Sequence, residues 1–530
     1  MKNKFLLSSI VALATVSLLS AQTESEAINS QTPKVDYEKE LYLQNIYYGS
    51  SNPVSIAYNP YSVINSFDGS YSRAEGNFKP IDGAGNANLM DFGIYGAKKL
   101  DKISFEGSLK YSVHELNNSR WGNTVLLSDK NPFIIADSLI YDSVPNNHER
   151  EIFDLNGGFA WKTTDRLVLG LRANYLVGSK ADQSDPRFES HGARVTFNPG
   201  VEYKLGNSFS LGLSAGVATY HEDVEMTVVD NILDPAHCFV FLFKELGNYE
   251  IKNETGYNRR YDGSIYTGAL QAVYTGEHIS NFLEIGAEIN NEEAIDGGTS
   301  YKKKGGENNI MTLSFKDRLQ YRGASMIHNL SVEASMLNEK AKVFNQTAAP
   351  DSYGKTVWII QSSDISQKES DLNANISYQL DLLSKQVSHF TAKVSGGFEK
   401  VSVNQYPDEY FAKYSLMNAG IDVTKRFYYR KFHFSLSGNG GYCKAMNKLE
   451  YELPSDNPGK KRFMRGYFIP KYEYLASDYI QYGLSASVAY HIENKQWVKL
   501  SAGYSSVDYK GDYSRFDNRS NLFVKLTYTL

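Results

Sequence analysis

The chain has 530 residues, with 55 basic and 60 acidic side chains and a net charge of −5, a balance that argues against nucleic acid as a partner. Two cysteines exclude a disulfide framework. Past residue 21 no window approaches the ~20 apolar residues of a membrane helix, which excludes helical spans.

Met1–Ala21 reads as a signal peptide: Lys2 and Lys4 precede the apolar run Phe5–Leu19, and small Ser20 and Ala21 place cleavage before Gln22. Removing Lys2 and Lys4 leaves 53 basic against 60 acidic residues, or −7. Residues 22–61 show no strand alternation. Pro33–Ile46 suits a short helix, and Ser50–Pro60 is rich in turn formers. This segment is expected either to tuck into a lumen or to hang free as a periplasmic tail.

From residue 62 onward one pattern repeats. Apolar residues alternate with polar ones over ~10–15 positions, as Ile103, Phe105, Gly107, Leu109, Tyr111 and Val113 show. A strand turns successive side chains to opposite faces, so each run has one apolar face. Leu167–Val177, Phe209–Val217 and Ile480–Ile492 repeat it. Short connections near Leu100–Lys102, Thr163–Asp165, Gly206–Asn207, Gly276–His278, Arg322–Ser325, Ser384–Gln386, Lys425–Phe427 and Glu493–Lys495 interleave with long ones. The long ones run near Asn117–His148, Gly178–Ser190, Val228–Asn258, Glu292–Asn308, Asn338–Glu369, Asn404–Tyr410, Met446–Ala476 and Gly511–Asp517. The chain ends in NLFVKLTYTL, with Leu522, Val524, Leu526, Tyr528 and Leu530 on one face and Phe523, Lys525, Thr527 and Thr529 on the other. Alternating short and long connections and a closing C-terminal strand predict an all-β fold, a transmembrane antiparallel up-and-down barrel of about 18 strands (16–20) over residues 62–530. High tyrosine and phenylalanine counts, 39 and 27, suit aromatic girdles, and 14 prolines are few, as a large sheet requires.

Leu100–Ser138, through Gly107, Tyr111, Trp121, Asn131, Pro132, Ala136 and Asp137, resembles an uncharacterised family of Bacteroidota outer-membrane barrels. The resemblance implies an outer-membrane location and no known activity. TonB-dependent receptors end in a similar strand but use 22 strands and a folded plug domain, for which this chain lacks the length. Asn59-Pro60 resembles the Asn-Pro of the fatty-acid transporter hatch, although Asn-Pro is also an ordinary turn dipeptide.

No catalytic constellation stands out, and no cofactor or metal site is expected. The ten histidines show no metal spacing. His237-Cys238 are adjacent, a poor geometry for one metal, and His221-Glu222-Asp223 lacks a nucleophile nearby. Gly438-Asn439-Gly440-Gly441 reads as small-residue packing in a strand rather than a phosphate cradle. Lys444, Lys448, Lys460, Lys461, Arg462, Arg465 and Lys471, with Lys302–Lys304, read as solvated loop charge or as an attractor for anionic lipopolysaccharide. Asp137-Ser138-Leu139 and Asp142-Ser143-Val144 match an O-glycosylation pattern. Cys238 and Cys443 fall in predicted loops and are candidates for a single bridge. The expected function is non-enzymatic passage or uptake of a solute. Its alternatives are an accessory barrel docking a surface lipoprotein or a TonB-dependent receptor, and an outer-membrane hydrolase. The expected surroundings are outer-membrane lipid, lipopolysaccharide and the barrel-assembly machinery.

Overall fold

A computed structural model describes residues 36–136, 146–182, 184–229, 239–245, 248–297, 302–384, 387–407, 410–452, 464–492 and 496–530. The signal segment, both glycosylation patterns, and His237-Cys238 lie outside them. Cys443 is a buried free thiol.

Eighteen strands run up and down around the barrel. They are β1 (Val63–Gly76), β2 (Asn86–Lys99), β3 (Ile103–Ser119), β4 (Asn146–Lys162), β5 (Leu167–Asp182) and β6 (Arg187–Lys204). Next come β7 (Phe209–Thr227), β8 (Gly256–Thr275), β9 (Ile279–Asp296), β10 (Lys303–Arg322), β11 (Met326–Pro350) and β12 (Thr356–Ser384). The last are β13 (Val387–Gln405), β14 (Phe411–Tyr429), β15 (Phe432–Ala445), β16 (Tyr479–His491), β17 (Trp497–Tyr509) and β18 (Asn518–Thr529). Each is antiparallel to its neighbours, and β18 pairs with β1 from Ser66↔Thr529 to Gly76↔Arg519, which closes the ring. Closure removes the sheet edge through the ring, so backbone polar groups there are paired on both sides of each strand.

The outer surface follows the alternation. Leu213, Leu270, Ile285 and Phe315 are register neighbours across β7 to β10 and are exposed. Trp161, Tyr203, Tyr274, Tyr321, Tyr429 and Tyr490, all exposed, ring the short-turn end. An apolar belt this continuous is stable only in lipid, and aromatic rings suit its boundary with water. On β18, Leu522, Val524 and Leu526 face outward as predicted.

Four expected connections are corrected. Gly178–Ser190, Glu292–Asn308 and Asn338–Glu369 are mostly strand among the described residues: β5 runs to Asp182 and β6 starts at Arg187, β9 runs to Asp296 and β10 starts at Lys303, and β11 runs to Pro350 and β12 starts at Thr356. Beyond the lipid the outer face need not be apolar, so the ladder continues where the alternation stops. The expected turn at Lys425–Phe427 lies inside β14; the chain reverses at Arg430-Lys431, where Arg430 takes a left-handed φ of 55°.

The short-turn end of the lumen is filled by the chain's own N-terminal segment. α1 (Tyr37–Gln44), with Glu38 and Glu40 in its first turn, leads to a 3₁₀ turn at Pro53–Tyr58. Asn52 opens that turn by accepting from the Val54 N–H at 3.1 Å. Wall side chains grip the backbone: Gln320 donates to Leu43 O at 3.2 Å and Arg318 to Asn45 O at 3.3 Å. Glu284 accepts from the Ser50 hydroxyl at 2.9 Å and the Ser51 N–H at 3.0 Å, and Glu202 accepts from Tyr47. Apolar Val54, Ile56 and Ala57 pack against Ala160, Val168, Val273 and Phe282. A Cβ on Gly170 would stand 2.7 Å from the Pro53 carbonyl carbon, so the wall there has to be glycine. Gly170→Val is therefore expected to unseat residues 36–60 while the barrel forms, read as lost hydrogen-exchange protection in that segment alone.

The segment is anchored at its start by charge. Asp36 pairs with Arg426 at 3.1 Å and Lys499 at 2.5 Å, and Lys39 with Asp381 at 2.8 Å. Burial favours the neutral form of Asp36, but Lys499, His433 and Arg426 together hold its carboxyl below the ordinary value of 3.8. A lowered folded pKa adds stability that is fully present above the unfolded value and is lost as pH falls through the folded one. Limited proteolysis is accordingly expected to leave residues 36–60 protected at neutral pH and to cut them only once the pH has fallen below the ordinary carboxylate value of 3.8.

Candidate functional site

The long-loop end is also occupied, by connections that fold inward. The segment after β3 carries Phe133, Ile135 and Ala136, all fully buried. Ile135-Ala136 pairs with Leu242 and Phe241 of a short strand, Phe239–Glu245, which pairs in turn with Asn248–Asn253. Arg259 and Tyr261 donate to the Phe133 carbonyl at 3.2 and 2.8 Å, and Arg259 also forms a two-pronged pair with Asp296 at 2.6 and 2.9 Å. After β15 a π turn, Met464–Phe468, leads into α2 (Ile469–Leu475), with Pro470 in its first turn. Tyr467 meets Trp121 edge-on, 5.2 Å between centroids, which joins this loop to the first.

Buried carboxylates of the wall hold the first loop. Glu222 accepts three successive backbone N–H groups, from Val125, from Leu126 at 2.8 Å and from Leu127 at 3.0 Å. Glu292 accepts from the Ser128 N–H at 3.0 Å and the Asn131 amide at 2.9 Å. Successive amides aimed at one carboxylate make an anion nest, here closed by the protein's own side chain. Alternation along β7 places His221 on the opposite, exposed face from Glu222, so the acid–histidine cluster seen in sequence never assembles.

Between these loops and the wall lies a cavity of about 670 Å³, within the usual range for a small-molecule pocket. Trp121, Tyr414, Tyr467, Tyr472 and Tyr474 supply its rings. Its charges come from Arg150 and Lys180 on one wall, Glu369 and Glu399 on another, and Lys130, Lys471, Asp82 and Asp129 on the loops. Lys130 pairs with Glu369 and Asp371, at 2.6 Å each. Burial opposes its charge, but the two carboxylates hold the ammonium well above its ordinary pKa.

Some sequence expectations are relocated. Of the basic loop residues, Lys444, Lys448 and Arg465 are exposed, whereas Lys471 turns into the cavity. Lys460, Lys461 and Arg462 lie outside the described residues. Lys304 pairs with Glu293 at 2.6 Å, and Lys303 lies over the Trp358 ring at 5.3 Å. The glycine run at 438–441 lies within β15 with ladder partners on both sides. Asn59 is buried and accepts from the Tyr61 N–H at 3.0 Å, the work of a turn residue. Among the described residues no group of three or more His, Cys, Asp and Glu has the geometry to hold a metal.

One arrangement has no sequence signal. Ser119 Oγ lies 2.6 Å from His148 Nδ1, and His148 Nε2 lies 3.2 Å from Asn123 Oδ1. Such a relay activates nucleophiles elsewhere. Here the three residues are 1%, 3% and 4% exposed and none lines the cavity, so the relay ties the loop to the wall.

Fold and site together define a transmembrane β-barrel whose lumen is filled by its own chain. Residues 53–530 match a family of unknown function (DUF6850), and the chain belongs to it. No curated protein matches the sequence. Among solved structures, BauA, the ferric preacinetobactin receptor from Acinetobacter baumannii, is 9% identical over 88% of this chain and 80% of its own, with a TM-score of 0.40. The RagAB peptide transporter is 9% identical over 88% and 86%, with a TM-score of 0.41. The copper transporter OprC is 9% identical over 88% and 80%, with a TM-score of 0.40.

Proposed function

We propose that this protein is a non-enzymatic barrel of a bacterial outer membrane that takes up a solute through the cavity at its long-loop end. Short turns then face the periplasm and long loops face outward. One observation carries the reading: the inward loops do not fill their end of the lumen completely but frame a cavity rimmed by the exposed Asp82 and Asp129. A purely structural wall has no need of a chamber lined with rings and charges. The short-turn end is closed by residues 36–61, so passage requires that segment to move. The motif of Leu100–Ser138 supports a Bacteroidota source, and the C-terminal strand suits recognition by the assembly machinery. Signal cleavage after Ala21 belongs to the same reading.

The location is tested by fractionation. Heat-modifiable migration and retention in the outer-membrane fraction after alkaline wash are expected; release by the wash contradicts it. Uptake is tested by growing cells with and without the intact gene in complex medium and analysing the spent medium by mass spectrometry. A set of compounds consumed only when the protein is present supports uptake, and identical depletion contradicts it.

A second reading, docking of a surface lipoprotein, is favoured by β11 and β12. Their ladder runs past the last neighbouring pairs, Glu307↔Lys342 and Gln367↔Gln405, to Pro350↔Thr356. That ribbon projects roughly 25 Å at about 3.4 Å per residue. Val357, Ile359 and Ile360 are exposed on it. An isolated two-stranded ribbon is only marginally stable in water, which suits a partner. A photo-crosslinker placed at Tyr353 is expected to capture a lipid-modified protein in cells, and absence of any adduct contradicts docking.

A further inference from the structure

The cavity carries opposite charge on opposite walls. Arg150 and Lys180 are register partners on β4 and β5, both lining it. Neither belongs to an ion pair among the described residues, and Lys180 donates to the Gly122 carbonyl. Glu369 lines the cavity from β12, where Lys130 bridges it to Asp371, and Glu399 lines it from β13. From β4 to β12 is eight places in a ring of eighteen, one short of diametrically opposite. Lys130 offsets one of those three carboxylates, and Glu399 accepts from the Tyr414 hydroxyl at 3.3 Å. Arg150 and Lys180 thus set two cations on one wall, with Glu222, Asp182 and Asp82 near enough to Lys180 to act on it, and Glu369, Asp371 and Glu399 set three carboxylates on the other, partly offset by Lys130. Lys471 reaches in from α2 on the side of Glu369, and Asp82 and Asp129 stand at the rim.

A field across a chamber selects by dipole. A simple anion or cation meets one repulsive wall. A neutral solute gains no Coulomb energy from either. A solute with a positive and a negative end satisfies both walls through charge-assisted hydrogen bonds. The rings of Trp121, Tyr467 and Tyr472 offer apolar faces with polar edges to the part between. Resting on the uptake reading above, we infer that the cavity binds a zwitterionic solute, a short peptide with free termini. Its carboxylate lies toward Arg150 and Lys180, and its ammonium toward Glu369 and Glu399.

The test uses the full-length purified barrel and three probe mixtures. These are a tripeptide library with free termini, the same library acetylated and amidated, and a set of malto-oligosaccharides. Compounds retained after rapid filtration are identified by mass spectrometry. Free-termini peptides are expected to be enriched roughly tenfold over blocked ones, about the value of one charge-assisted hydrogen bond. Arg150→Gln with Lys180→Gln is expected to erase that preference, and heat-modifiable migration checks that the variant is folded. If the double variant misfolds, Glu399→Gln is expected to lower the same preference from the opposite wall. Equal retention of blocked peptides, or retention of the oligosaccharides instead, overturns the zwitterion assignment but leaves a ligand cavity standing. Retention of nothing overturns the assignment and counts against the cavity as an uptake site.

Discussion

Deleting residues 36–60 alone is expected to leave purified barrels nearly silent in planar bilayers. Deleting them and also replacing residues 120–145 with a short glycine–serine linker is expected to raise the conductance on the order of tenfold, because an 18-stranded wall without its contents encloses an aqueous channel. Two segments occupy the lumen, the N-terminal one and the loop after β3. The structure uses both, in series. The first grips the wall through Glu202, Glu284, Arg318 and Gln320 at the short-turn end. The second is held by Glu222 and Glu292 at the other. A full pore from the first deletion alone would show that the inward loops do not seal. A silent double variant would shift the seal to α2 and its loop.

Leu526→Arg is expected to destabilise the barrel by roughly 2–4 kcal/mol, the cost of an arginine on the lipid face near the bilayer midplane. Leu526 is 53% exposed and stands opposite Leu500 and Gly69 in mid-strand. Its neighbour Lys525 points the other way, into the lumen, with its ammonium 3.5 Å from Asp68. Lys525→Arg keeps that charge in water and is expected to stay within about 0.5 kcal/mol of the parent. Denaturant unfolding in lipid vesicles, followed by gel mobility, separates the two. Equal losses would mean that the faces of β18 are reversed.

What the sequence made legible was the part governed by period two. Lipid demands an apolar residue at every second position, so the strand starts near Val63, the count and the lipid face of β18 were readable. Where the lipid ends, so does the signal: residues 343–350 and 356–366 form ladder without apolar–polar alternation, with Val357, Trp358, Ile359 and Ile360 consecutive, and read as loop. The lumen was harder still. Its contacts join residues far apart in sequence, such as Lys130 with Glu369 and Tyr47 with Glu202, and no local pattern marks such pairs. The motif behind the family resemblance was visible, but its place was not. Trp121, Asn131 and Ala136 are the residues that carry the loop into the barrel, and they are buried because they line or plug it. Arg150 and Lys180 looked like ordinary polar positions of two strands until register set them side by side.

The central claim is a lumen shut by the N-terminal segment at one end and open as a cavity to the outside at the other. Single cysteines at Asp129 and at Glu38, each in a chain with Cys238→Ser and Cys443→Ser, test it with a membrane-impermeant maleimide on intact cells. Both positions are exposed, Asp129 at the cavity rim and Glu38 on the first turn of α1. Asp129→Cys is expected to be labelled on intact cells, and Glu38→Cys only after the outer membrane is permeabilised. Labelling of Glu38→Cys on intact cells, or protection of Asp129→Cys until permeabilisation, would contradict the account.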